Sequence, residues 1–150
     1  VGMLPKTKFV LVVREPQARA MSQLKMAVAR SKVEIGGKKD WSFFLKKIQK
    51  NARGNYQSAI PRWQKFVGPD RLLILPFSLV RDDPSGLLRQ VEDFIGAKRF
   101  DGYKAMTEQI HKTKEVTVPE WVAVEVANFS APQKEYLIEA FGEEFYRKTR

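Results

Sequence analysis

Lys8 to Ser22 reads KFVLVVREPQARAMS, and the fold turns on this stretch. Phe9-Val10-Leu11-Val12-Val13 is an unbroken apolar run, mostly β-branched. That pattern predicts a strand covered on both faces, as in a parallel sheet. Arg14 stands where the strand ends. Pro16 suits the first turn of a helix, where its missing N–H costs little. A helix over 16–31 is therefore predicted, with Met21, Leu24 and Val28 as its buried stripe and Lys25, Arg30 and Lys32 on its basic outer side. Arg19 and Ser22 are then neighbours on one helix face. A guanidinium, a hydroxyl and free helix N–H groups would gather at the carboxyl end of a strand, where open α/β sheets bind phosphorylated ligands.

Composition narrows the partners. The chain has 150 residues, enough for one domain with a real core, and a single domain over 1–150 is expected. Hydrophobic residues make up 43%, which argues against disorder. A formal net charge of +10 favours anionic partners: a phosphorylated cofactor, a sulfated or uronic sugar, or nucleic acid. With no cysteine, a disulfide scaffold, a zinc-thiolate site and cysteine catalysis are excluded. No apolar run approaches the roughly 20 residues of a membrane span. VGMLPKTK has no apolar core ahead of a small-residue cleavage site, so it is not read as a signal peptide.

Further along, Lys32 to Asp40 is a loop by composition, and Asp40 is placed to cap a helix beginning at Trp41. Trp41, Phe44, Leu45 and Ile48 form its core stripe, with lysines between them. A second amphipathic helix carries Tyr56, Ile60, Trp63 and Phe66 on one side, interrupted by Pro61. Tyr56 and Trp63 are read as structural, with stacking on a sugar as the functional option. Arg71-Leu72-Leu73-Ile74-Leu75 is a second short buried strand. Asp83-Pro84 opens a helix lined inside by Leu87, Leu88, Val91, Phe94 and Ile95, and Gly96 ends it. His111-Lys112-Thr113-Lys114 reads as a solvated, basic loop around the chain's one histidine. Ser130-Ala131-Pro132-Gln133 reads as the start of a terminal helix.

The ordered segments resemble one family. Arg14-Glu15-Pro16-Gln17-Ala18-Arg19-Ala20-Met21-Ser22 is similar to the R-[DE]-P-x-x-R-x-x-S segment of the sulfotransferases. Gly54, Tyr56, Trp63 and Phe66 follow the G-x-Y, W and F order of the carbohydrate-type members. LLILPFSLVRDDPSGLLRQVEDFIG follows the family's apolar strand, D-P and closing F-[LI]-G, with Ser78 where Glu is usual. The resemblance implies an α/β, P-loop-NTPase-like sulfotransferase fold, a parallel sheet flanked by helices. It implies 3′-phosphoadenosine 5′-phosphosulfate as sulfuryl donor, adenosine 3′,5′-bisphosphate as product, and no metal. Arg14 and Ser22 become the residues expected on the 3′-phosphate, with Arg19 as the segment's second arginine. Lys112 and Lys114 become candidates for the late basic loop that closes over the cofactor. The implied acceptor is a hydroxyl or amine, with a carbohydrate preferred.

The family's Lys-bearing, Gly/Ser/Thr-rich loop for the 5′-phosphosulfate has no counterpart here, and no G-x-x-x-x-G-K-[ST] occurs. The resemblance thus implies the carboxyl-terminal part of a domain lacking its N-terminal strand and phosphate loop. Such a chain should be inactive alone, with no catalytic residue assigned. Its sheet edge should be exposed, or covered by a missing N-terminal segment or a partner chain. Two rivals stand beside this reading. One is a non-catalytic basic module binding nucleic acid or another polyanion. The other is a small α/β interaction domain in which Arg14 merely pairs with Glu15 or an aspartate. The lack of cysteine and anchor points to the cytoplasm, or to the Golgi lumen if an anchor lies upstream.

Overall fold

The run 9–13 does form a strand, and it pairs with the second apolar run. A computed structural model of the chain describes residues 6–31, 35–50, 54–104, 106, 108 and 115–150. Its strands are β1 (Phe9–Val13) and β2 (Leu72–Pro76), parallel, with Phe9 opposite Leu72 and Val13 opposite Pro76. The helices are α1 (Pro16–Arg30), α2 (Lys38–Gln49), α3 (Tyr56–Val67), α4 (Ser78–Asp82), α5 (Pro84–Ile95), α6 (Glu120–Phe141) and α7 (Glu143–Lys148). A 3₁₀ turn, Pro69–Arg71, leads into β2. The β1–α1…β2 order, with helices between parallel strands, is the α/β class expected from the sequence.

The two faces of the sheet differ. Leu11, Val13 and Ile74 face one core cluster, where they meet Tyr56 and Ile60 of α3, Leu137 of α6 and Tyr146 of α7. Lys8 points to the other face, where its ammonium reaches the Phe94 carbonyl of α5 and lies 5.0 Å from the Phe94 ring centre. Leu75 is closed off on that side, but Val10 and Val12 stay 41% and 37% exposed. This corrects the expectation of a strand covered on both faces: α5 packs beside β2 and leaves the β1 half open. Among the described residues β1 pairs with β2 and no other strand, so its far edge is unpaired, as expected.

A second core cluster joins Leu24 of α1 to Trp41, Phe44, Leu45 and Ile48 of α2 and to Val122 and Val126 of α6. Each fully buried Leu or Ile of these clusters contributes about 1.5–3 kcal/mol relative to exposure. Helix α6 passes through both clusters and is the part that ties α1 and α2 to the sheet.

Several local expectations need correction. Asp40 lies inside the first turn of α2, where its carboxylate accepts from the N–H groups of Gly36 (3.1 Å) and Gly37 (3.2 Å). Trp63 and Phe66 are not on the buried stripe of α3; they are 40% and 61% exposed, and Val67 takes the inner position. On α5, Ile95 is exposed and Glu92 is buried, its carboxylate accepting from the Phe100 N–H and the Tyr103 hydroxyl. Ser130 does not start a helix: α6 runs through it and through Pro132. The Asp83 cap, which accepts from the Gly86 N–H at 2.8 Å, and the left-handed Gly96 end stand where the sequence puts them.

Candidate functional site

Strand β1 delivers Arg14 to the carboxyl end of the sheet, and the backbone on both sides of it is clamped. The Arg14 N–H donates to the Tyr56 hydroxyl oxygen (3.3 Å), and that hydroxyl donates back to the Arg14 carbonyl (3.0 Å). Burial holds the Tyr56 phenol above its ordinary pKa, against the lowering pull of the Arg19 and Arg14 guanidinium groups. It therefore stays a neutral donor. The Glu15 N–H donates to the Thr149 carbonyl (2.8 Å), and the Tyr146 hydroxyl donates to the Glu15 carboxylate (3.2 Å). The turn is thus held from α3 on one side and from α7 on the other.

Glu15 also changes what the start of α1 can offer. Its carboxylate accepts from the N–H groups of Gln17 (3.1 Å) and Ala18 (2.6 Å). The expected free N–H groups at the helix start are therefore occupied by the preceding side chain, which reaches them without any ligand. These helix N–H donors are satisfied internally, so an anion at this turn would meet side chains.

The Arg14 guanidinium lies 4.9 Å from the Phe77 ring centre and has no ion-pair partner among the described residues. This disposes of the reading in which Arg14 merely pairs with a neighbouring carboxylate. Arg14 borders two adjoining clefts. One, of about 320 Å³, is completed by Ala18, Met21, Ser22 and Lys25. The other, of about 710 Å³, lies between the start of α1, Phe77, α6 and the end of α7. Arg14 and Ser22 thus open onto the same space, and Lys25, one turn after Ser22, adds a cation.

Arg19 does not join them. Although Arg19 and Ser22 are close along α1, Arg19 opens onto a smaller cleft with Gln23, Asn55 and Gln133. Its guanidinium lies against Gly54, where an added Cβ would come within 2.9 Å of the Arg19 Nη1. The helix positions 18, 22 and 25 make one stripe, and Arg19 leans off it toward α3. Lys112, Lys114 and His111 lie outside the described residues. Among the described residues no group of three or more His, Cys, Asp or Glu side chains could hold a metal ion, and no helix is long and apolar enough to cross a membrane.

Sequence reading put Lys25 on the basic outer side of the helix and left it out of the site, although its spacing from Ser22 carried a usable signal. It also missed Tyr146, Lys134 and Arg150, which come to line the larger cleft with Arg14 only through the tertiary fold.

A sequence model described as the sulfotransferase family matches residues 1–101, which hold Arg14, Ser22 and both strands. No curated protein and no solved structure matches the chain.

Proposed function

The chain belongs to the sulfotransferase family, whose chemistry is sulfuryl transfer, and we propose that it binds the donor 3′-phosphoadenosine 5′-phosphosulfate with the 3′-phosphate held between Arg14 and Ser22. The observation that supports this is the shared cleft: an arginine without a carboxylate partner, a hydroxyl and the Lys25 ammonium border one opening. A guanidinium gives charge-assisted, bidentate bonds to a phosphate, and a hydroxyl adds a short neutral one. Tyr56 and the Glu15 cap fix the backbone that carries Arg14, and its guanidinium lies 4.9 Å from the Phe77 ring centre, so less ordering is required on binding.

Sulfuryl transfer breaks the bond between sulfur and the phosphate oxygen and forms one between sulfur and the acceptor oxygen or nitrogen. The acceptor's proton leaves, and the phosphate departs with the electron pair. A cationic setting stabilises the charge that spreads over the transferred group. The net charge of +10 suits such a donor and an anionic acceptor alike. A carbohydrate acceptor is the proposal here, supported by the G-x-Y, W and F order of Gly54, Tyr56, Trp63 and Phe66, which is that of the carbohydrate-type members.

Calorimetry with adenosine 3′,5′-bisphosphate tests the donor site. Arg14→Ala should weaken binding by about 10- to 100-fold, the size of a lost charge-assisted bond, and Ser22→Ala by about 3- to 10-fold. Arg19→Ala should change it less than Arg14→Ala. Absence of nucleotide binding together with tight, steeply salt-dependent binding of mixed-sequence DNA would overturn this reading in favour of a polyanion-binding module.

A further inference from the structure

The larger cleft beside Arg14 is more basic than one phosphate requires. Arg14, Arg81, Lys134 and Arg150 border it, brought from the β1 end, α4, α6 and a position two residues beyond α7. One carboxylate, Glu15, lies on its wall, and that group is already engaged by two helix N–H groups and the Tyr146 hydroxyl. Arg81 is neutralised by Asp82 at 2.6 Å. Lys134 and Arg150 have no ion-pair partner among the described residues. Both stand against one ring: Lys134 lies 5.7 Å and Arg150 5.6 Å from the Tyr146 ring centre. Cations held over an aromatic face are oriented without being discharged. Positive charges that border one cleft raise its potential, which favours a bound anion.

We propose that this cleft is a second oxyanion subsite, in which Lys134 and Arg150 hold a phosphate- or sulfate-type group next to the one held by Arg14 and Ser22. It rests on the donor-binding reading for its neighbour, but on its own residues for its chemistry. Both clefts have small-molecule dimensions, about 320 and 710 Å³, and they share Arg14 and Ala18, so one ligand can span them. The oxyanion is either the nucleotide's second phosphate or an anionic group on the acceptor. Lys134 and Arg150 are both exposed, so replacing them leaves the core intact.

The test uses the full chain and inorganic sulfate, followed by resonance shifts. Sulfate should shift Lys134, Arg150 and Tyr146 saturably, and the Lys134→Gln/Arg150→Gln double variant should lose those shifts. Calorimetry with adenosine 3′,5′-bisphosphate and adenosine 3′-monophosphate then identifies the source. A wild-type preference of about 10-fold for the bisphosphate that disappears in the double variant assigns the group to the nucleotide. Unchanged affinity for both nucleotides, with the sulfate shifts lost, assigns it to the acceptor. Shifts that fail to saturate, or that survive the double substitution, overturn the subsite. Saturable shifts in a wild-type chain that binds neither nucleotide would sink the donor reading and leave the subsite standing, so the two failures are distinguishable.

Discussion

Tyr56 connects local chemistry to the site most directly. One hydroxyl satisfies both backbone groups of Arg14, so its loss leaves a half-buried carbonyl without that donor. Tyr56→Phe should destabilise the chain by about 1–3 kcal/mol in denaturant unfolding. The effect should also depend on pH. Burial raises the folded-state pKa of Tyr56, so its contribution is fully present below the ordinary phenol value of about 10. It is lost as pH rises past that value and through the folded one. The stability gap between wild type and Tyr56→Phe should therefore narrow from about pH 9 to 11; a gap constant over that range would remove the buried, neutral phenol from the account. The motif residues Arg14 and Ser22 were legible one by one. The sequence marked Tyr56 as a core aromatic, correctly, but its bond to Arg14 joins residues far apart in the chain, which spacing does not reveal.

Helix ends were legible where a cap and a breaker sit within a few residues of each other. Asp83-Pro84 and Gly96 bracket α5 because each acts on its own turn. Helix α6 was misread for the complementary reason. Ser130-Ala131-Pro132 has the local chemistry of a helix start, yet packing on α1, α2 and α3 carries the helix straight through it. Pro132 supplies no N–H to the carbonyl four residues back, and local preference is overridden at a cost. Since Pro132 is exposed and no packing is lost, Pro132→Ala should raise the melting temperature, with a gain of up to about 3 kcal/mol. An unchanged or lower melting temperature would mean that the packing of α6 depends on the interruption. The α5 face was misjudged at Glu92 as well. Its burial depends on the Phe100 N–H and the Tyr103 hydroxyl, both beyond the helix.

For the molecule as a whole, two core clusters share α6: Val122 and Val126 belong to one, Leu137 to the other. We propose that residues 1–150 form one cooperative domain for this reason. Leu137→Ala should lower stability by about 2–5 kcal/mol, and Val126→Ala should also be destabilising. Each should move a single thermal transition rather than one of two. Separate transitions, each answering to one substitution, would divide the chain at α6.

The sequence alone determined the class: two apolar runs with helical patterns between them form parallel strands, and R-E-P-x-x-R-x-x-S at the end of the first marks the turn. These are local features, set by side-chain size, β-branching and proline geometry over a few residues. Only the tertiary structure decided which charges share a space. It put Arg14 beside Ser22 and Lys25, turned Arg19 toward Gly54, and brought Lys134, Tyr146 and Arg150 to the same turn. Side-chain direction within a helix and the packing of α6 and α7 against the sheet set those meetings, and both depend on contacts distant in the chain.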